Sequence, residues 1–347
     1  ILQSRGGFSV TPAGRVQTPT LAILTQRELE IQAFEPEPYS EVWADFGVQS
    51  GVYSGRWIDR DWKKNDNPHS RAERIWDSAL ATVIRDRCRG KSGTVTEEKK
   101  PVTTIAPLLY DLTSLQREAA NRYGFSAKRT LQLAQECYEK HKVLTYPRTD
   151  SRYLPEDYLG KVYGIVGAVA EENAEFAPFA RDILDNKRVK PNRRVFDTKK
   201  VSDHFAIIPT GKIEKLSGDV QKLFEMVMAR FLAVFFPPAV FEDTRRTTLI
   251  DHRDGVTDAF LTTGRVLVEP GWQAVYGRKA GSSSKEELVS VQDGEQAAVR
   301  EIEIRNAMTK PPARYNEATL LAAMEGAGKL VHDEELAAAM SERGLGT

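Results

Sequence analysis

Cysteine is scarce in this chain of 347 residues, with Cys88 and Cys137 far apart and no Cys-x-x-Cys pair. That excludes a disulfide framework, offers no zinc-ligand spacing, and fits a reducing compartment. Long apolar runs are missing too: none approaches the roughly 20 residues that a membrane-crossing helix needs, and the N-terminus carries no signal-peptide pattern. Neither sign of charge is in excess, since 49 Lys and Arg balance 49 Asp and Glu. A uniformly basic nucleic-acid binder is thereby excluded, and contact with a polyanion has to come from local clusters. No solenoid-type repeat is visible. These absences predict a soluble, cytoplasmic protein with no membrane partner, long enough for two or more domains.

What is present alternates between strand and helix patterns. Thr18 followed by Pro19 reads as an N-cap and first helical position for a helix over about 19–32. The glycine-rich approach, with Gly6, Gly7 and Gly14, is a plain loop-to-helix turn with a solvated arginine, or a place for a phosphate at that helix start beside Arg15 and Gln17. Residues 39–59 alternate as antiparallel strands, 63–70 form a polar loop, 72–87 look helical, and 92–104 look strand-like again. Thr113 and Gln116 fit a capping box, and Ser126 caps the next helix, whose Ala127, Leu131, Ala134 and Tyr138 make one apolar stripe. Two short helices and then a strand bearing Tyr146 suggest a helix-turn-helix or winged-helix core. Pro155 opens a further helix. An apolar helix over 219–236 stops at Pro237-Pro238, strands return over 240–250 and 259–267, and Gly271-Trp272 anchors a turn. Ser282, Ser283 and Ser284 mark a loop tip. A last strand and a helix over about 316–324 follow. The basic run from Lys187 to Arg194, with Lys199 and Lys200, is a solvated loop or a holder of phosphates that reads no bases. Asp59-x-Asp61 has metal-pair spacing in a polar turn, and no metal ligands are assigned.

The chemically loaded stretch is Leu144-Thr145-Tyr146-Pro147-Arg148-Thr149-Asp150-Ser151-Arg152. Ionising an unassisted phenol at neutral pH costs about 4 kcal/mol, so a nucleophilic tyrosine needs a cation nearby. Arg148 is placed to be that cation. Pro147 pushes Tyr146 into extended geometry, and residues i and i+2 of an extended segment share a face, so phenol and guanidinium can meet at one phosphate. A half-buried strand tyrosine beside an ordinary surface arginine is the alternative.

That stretch resembles the active-site segment of type IA DNA topoisomerases, most closely the topoisomerase III branch. Three further segments resemble the same family in the same order: Gly14–Leu21, His204–Thr210 and Pro311–Leu320. The resemblance spans nearly the whole chain. It implies a multidomain α+β fold, with helical, winged-helix-like domains joined by an antiparallel β arch, toroidal in the complete enzyme. The implied parts are a helical DNA-binding domain in two pieces (1–40 and 303–347), a β arch in two pieces (41–106 and 238–302), and a helical domain carrying the nucleophile (107–237).

The resemblance also implies the chemistry: single-strand cleavage through a 5′-phosphotyrosine link, strand passage and resealing without ATP. The resemblance thus implies an isomerase acting on nucleoid or plasmid DNA, chiefly single-stranded. Tyr146 is then the nucleophile, Arg148 steadies the phosphate, and His204 donates a hydrogen bond or moves a proton. Arg15, Gln17, Thr18, Thr149, Asp150 and Ser151 are the implied DNA contacts. Pro12 and Ala13 stand where relatives carry a serine, and Phe205 stands where a polar residue or second histidine is usual. Magnesium is implied as the cofactor, held by an upstream Toprim domain. Because the chain opens on Ile1 and stops at Thr347, where relatives continue, it is expected to be a fragment, inactive without that domain. The alternative function is an inert module that binds single-stranded DNA. A recombinase-like transferase would need an Arg-His-x-x-Arg cluster, which is not seen.

Overall fold

The computed structural model describes residues 16–282 and 288–327, and the chain divides into two compact units. One unit takes Glu35–Ile105 and Pro237–Pro311; the other takes the chain up to Phe34, then Ala106–Phe236, then Pro312 onward.

The first unit is a closed antiparallel barrel. Its strands are β1 (Pro38–Val48), β2 (Gly51–Ile58), β3 (Ser92–Thr104), β4 (Ala239–Asp251), β5 (Thr257–Glu269) and β6 (Gln296–Met308), in the order β1-β2-β5-β4-β3-β6 and back to β1. Alternation makes the sheet two-faced: Val42, Ala44 and Phe46 of β1 turn inward, as do Arg246, Thr248 and Ile250 of β4. Phe46 meets Tyr53 and Phe260 in the interior, and each such buried ring contributes about 1.5–3 kcal/mol. A helix, α2 (Ser78–Cys88), adds Ala81, Ile84 and Cys88 to this core. The helical pattern over 72–87 is realised only from Ser78, because the Asp77 side chain accepts from the Ala79 N–H and sets the start there. Ile75, upstream of the cap, instead pairs with Ser40. β6 stays paired with β1 as far as Met308 opposite Pro38, so the chain leaves the barrel at Pro311 rather than near 303. Gly271 is required where it stands: its φ is +49°, and a Cβ would lie 2.3 Å from the Pro238 carbonyl oxygen. That turn lets the Trp272 indole donate to the Thr104 carbonyl at 2.9 Å.

The second unit is helical. Its elements are α1 (Gln17–Gln32), α3 (Leu112–Tyr123), α4 (Ala127–Glu139), α5 (Leu159–Glu172), α6 (Ala177–Asp185), α7 (Gly218–Ala233) and α8 (Glu317–Glu325). α7 is the central rod, buried continuously from Met226 to Ala233, with α4 packed on it and α3 on α4. Two cap assignments need correction. Thr18 lies inside α1, whose cap residue is Val16 without a side-chain bond. The capping box of α3 is Asp111 with Ser114, not Thr113 with Gln116. Both motifs fit the same short sequence, and burial decides: Thr113 and Gln116 face the interior, where Gln116 donates to the Ala127 carbonyl at 3.1 Å. Ser126 does cap α4, accepting from the Arg129 N–H at 3.1 Å. Among the described residues no helix is long and apolar enough to cross a membrane.

Candidate active site

The segment carrying Tyr146 is launched by the end of α4. Lys142 adopts the left-handed conformation usual for glycine, at φ 60°, and the next N–H, that of Val143, closes onto the Cys137 carbonyl at 2.9 Å. Val143–Thr145 then runs beside Ile208–Thr210, paired through the Leu144–Pro209 bridge. The expected strand goes no further. Pro147 and Pro209 lack an N–H, so neither can extend a ladder, and Tyr146 sits in extended but irregular chain.

Burial along this chain has a period of two. Pro147, Thr149 and Ser151 are buried, while Arg148 and Asp150 are exposed and Tyr146 is half-buried. Tyr146, Arg148 and Asp150 therefore share the open side. The Tyr146 ring leans on His204, with centroids 4.4 Å apart, and meets the edge of Tyr138 at 5.3 Å. His204 is exposed, and Arg148 makes no side-chain hydrogen bond or ion pair among the described residues. A guanidinium left free on the same open side as the phenol is available to an anion.

The inward residues hold this arrangement. Thr149 Oγ1 donates to the His204 carbonyl at 2.8 Å and accepts from the Ser151 N–H at 3.1 Å. Ser151 Oγ donates to the Lys200 carbonyl at 2.8 Å. Thr149 and Ser151, expected as DNA contacts, thus have their hydroxyls committed internally. Asp150 accepts from Ser202 at 2.6 Å. Gln17 and Thr18 are exposed on the first turn of α1, with no side-chain hydrogen bond to Tyr146, Arg148 or His204 among the described residues, whereas Arg15, Gly14 and the glycines before it lie outside those residues. Ser283 and Ser284 lie outside them too. α1 is tied instead to the segment before α8, where Arg27 donates to Tyr315 and Arg314 forks onto Glu28.

Sequence reasoning missed a charge network behind the segment. Arg152 Nε donates to Asp111 at 2.7 Å, and its fork reaches Glu325 at 3.2 Å; Arg117 reaches the other Glu325 oxygen at 2.7 Å. Asp111 was the available signal, as an acidic residue just ahead of a helix. The Glu317 carboxylate accepts from the Ala127 N–H at the start of α4, a further tie from α8.

Competing nucleophiles are weak. Burial pushes the Cys137 thiol up to about 12, and burial followed by the Asp258 carboxylate drives Cys88 higher still, so both remain protonated. Cys88, His252 and Asp258 do bring three potential metal donors together in the barrel. The carboxylate is already engaged, however, by the Arg87 fork at 2.5 and 2.6 Å and the Trp57 indole at 2.8 Å. Burial raises the Asp258 pKa, but these donors with Cys88 outweigh it and hold it below the ordinary carboxylate range. Hydrogen bonding accounts for the cluster, and Arg87 would repel an added cation. Near Tyr146 the exposed carboxylate of Asp150 accepts from Ser202.

Comparison with known proteins follows the same line. Residues 1–347 match the family model described as DNA topoisomerase. DNA topoisomerase 3 of Bacillus subtilis is 38% identical over 348 residues, covering 96% of this chain and 45% of that protein. Those of Bacillus licheniformis and Bacillus cereus are 36% and 37% identical with the same coverage. The chain thus spans about half the length of the curated relatives it matches. In fold it is similar to the full-length topoisomerase I from Thermotoga maritima, with a TM-score of 0.63 at 24% identity, covering 96% of this chain and 51% of that one. With the motif order and the α+β architecture, these matches establish that the chain belongs to the DNA topoisomerase family, in its type IA class, and is topoisomerase III-like.

Proposed function

We propose that this chain supplies the nucleophile of a type IA topoisomerase acting on single-stranded DNA. The Tyr146 oxygen attacks a backbone phosphorus, forming a phosphotyrosine bond to the 5′-phosphate as the bond to the 3′-oxygen breaks. The phenolic proton leaves to solvent or a nearby base, and the 3′-oxygen gains one to become a hydroxyl. One diester replaces another, so resealing runs the step backwards without ATP. Arg148 steadies the charge on phosphorus, and His204, lying against the phenol, donates to a phosphate oxygen or passes a proton. Thr149 and Ser151 act as positioning residues, while Asp150, with Gln17, Thr18 and Arg15, lines the strand's path. The helical unit is the nucleophile-bearing and DNA-binding part, and the barrel corresponds to the arch. Magnesium, if used by the complete enzyme, is assigned to no residue of this chain, and no step here runs through it.

The observation that carries this reading is the accessible Tyr146 ring against His204, with the free Arg148 on the same open side. In the protein containing this chain, incubation with an oligonucleotide labelled at its 3′ end should leave label on the protein; a 5′ label should be released. Tyr146→Phe should abolish the adduct and keep DNA affinity within about twofold, since one hydroxyl is lost from a half-buried ring. An adduct that survives in the variant refutes the assigned nucleophile. Binding with no adduct in the parent itself would favour a module that only holds single strands.

A further inference from the structure

The neutral chain concentrates positive charge in one place. Residues 187–200 hold seven basic side chains against a single acid, Asp197. Three of the seven are engaged: Arg188 with Asp182, Arg194 with the Ala106 carbonyl, and Lys200 over the Tyr153 ring at 4.6 Å. Lys187, Lys190, Arg193 and Lys199 are exposed and make no side-chain hydrogen bond or ion pair among the described residues.

The backbone beneath them is held firmly. Val189, Val195 and Phe196 are buried, and the Tyr163 hydroxyl donates to the Val189 carbonyl at 2.7 Å. Leu154 pairs in parallel with Phe196, through N–H bonds from Leu154 to Val195 and from Asp197 back to Leu154. The Glu156 N–H reaches Thr198, and Ser151 reaches Lys200. The basic segment is therefore stitched to the chain just beyond Arg148 and runs on directly into His204. Binding then has only the side chains left to order, since the backbone that carries them is already held. The segment's one aromatic, Phe196, is buried, so the segment itself offers cations and no exposed ring of its own on which a base could stack.

We infer that Lys190, Arg193 and Lys199 form a track for the phosphates of single-stranded DNA flanking the cleavage position, gripping the backbone without reading sequence. The inference rests on the DNA-cleaving reading of Tyr146, and the experiment separates the two. Lys187 is left unchanged because its φ of 49° makes its backbone special.

The test uses the full chain and fluorescent oligonucleotides of two unrelated sequences, with affinity measured against salt. Each cation removed from a single-strand contact lowers the slope of log affinity against log salt by about 0.7. The triple variant Lys190→Ala, Arg193→Ala, Lys199→Ala should lose about 2 from the slope and bind about ten- to a hundredfold more weakly at about 0.1 M salt, equally for both sequences. A control replacing Arg60, Lys63 and Lys64 of the barrel unit by Ala removes the same net charge and should leave the slope unchanged. The track is overturned, with the DNA reading intact, if the triple variant binds like wild type or if the control loses as much. Absence of salt-sensitive binding in the wild-type chain overturns both.

Discussion

Replacing Asp111 tests whether the cap of α3 and the clamp on Arg152 are one device. The side chain is 7% exposed, caps the helix through the Ser114 N–H at 2.7 Å, and takes Arg152 Nε at 2.7 Å. Loss of an N-cap costs about 1 kcal/mol. A hydrogen bond to a charged group is worth about 1.5–3 kcal/mol. The lower end applies here, because the Arg152 side chain is 33% exposed and keeps Glu325. Asp111→Ala should therefore cost about 2–3 kcal/mol, whereas Asp111→Asn, which still caps, should cost about 1 kcal/mol. Urea unfolding followed by the helical circular dichroism band measures both. All five tryptophans lie in the barrel unit, so their fluorescence reports that unit separately. Two variants equally unstable would mean that the cap contributes nothing; two variants within about 0.5 kcal/mol of wild type would refute the device as a whole.

Two further outcomes follow from the geometry. Asp258→Asn breaks the pairing of a carboxylate that is 1% exposed and should cost about 3 kcal/mol near pH 7. Because the folded Asp258 has a depressed pKa, its contribution is complete above the ordinary carboxylate range and fades as pH falls through and below it. The gap in melting temperature between variant and wild type should accordingly narrow on acidification from about pH 7 to about pH 3, and a constant gap would contradict the pairing. Lys142→Gly relieves a left-handed lysine and should raise stability by up to about 1 kcal/mol, measured in the same urea experiment. A loss of stability would show that the lysine side chain does more for the turn than its backbone costs.

Much of the local structure was legible in the residues. The strand over 92–104 and the cap at Ser126 were readable because alternation and capping are properties of a few adjacent residues. So was the shared side of Tyr146 and Arg148, since Pro147 restricts the backbone between them. Local signals became ambiguous where two motifs overlapped: Asp111 with Ser114 and Thr113 with Gln116 both satisfy a capping pattern, and only the burial of the second pair chose between them.

What the sequence alone determined, then, is where the chain is extended or coiled and that Tyr146 and Arg148 take the same side of it, because those follow from neighbouring residues. The fold decided everything that depends on partners distant along the chain. The barrel closes through β1 and β6, the His204 ring is delivered to Tyr146 by the pairing of Leu144 with Pro209, and the Thr149 and Ser151 hydroxyls turn inward onto His204 and Lys200. A hydroxyl in an extended segment suits solvent or core equally well in sequence, and only the carbonyl that arrives opposite it settles which.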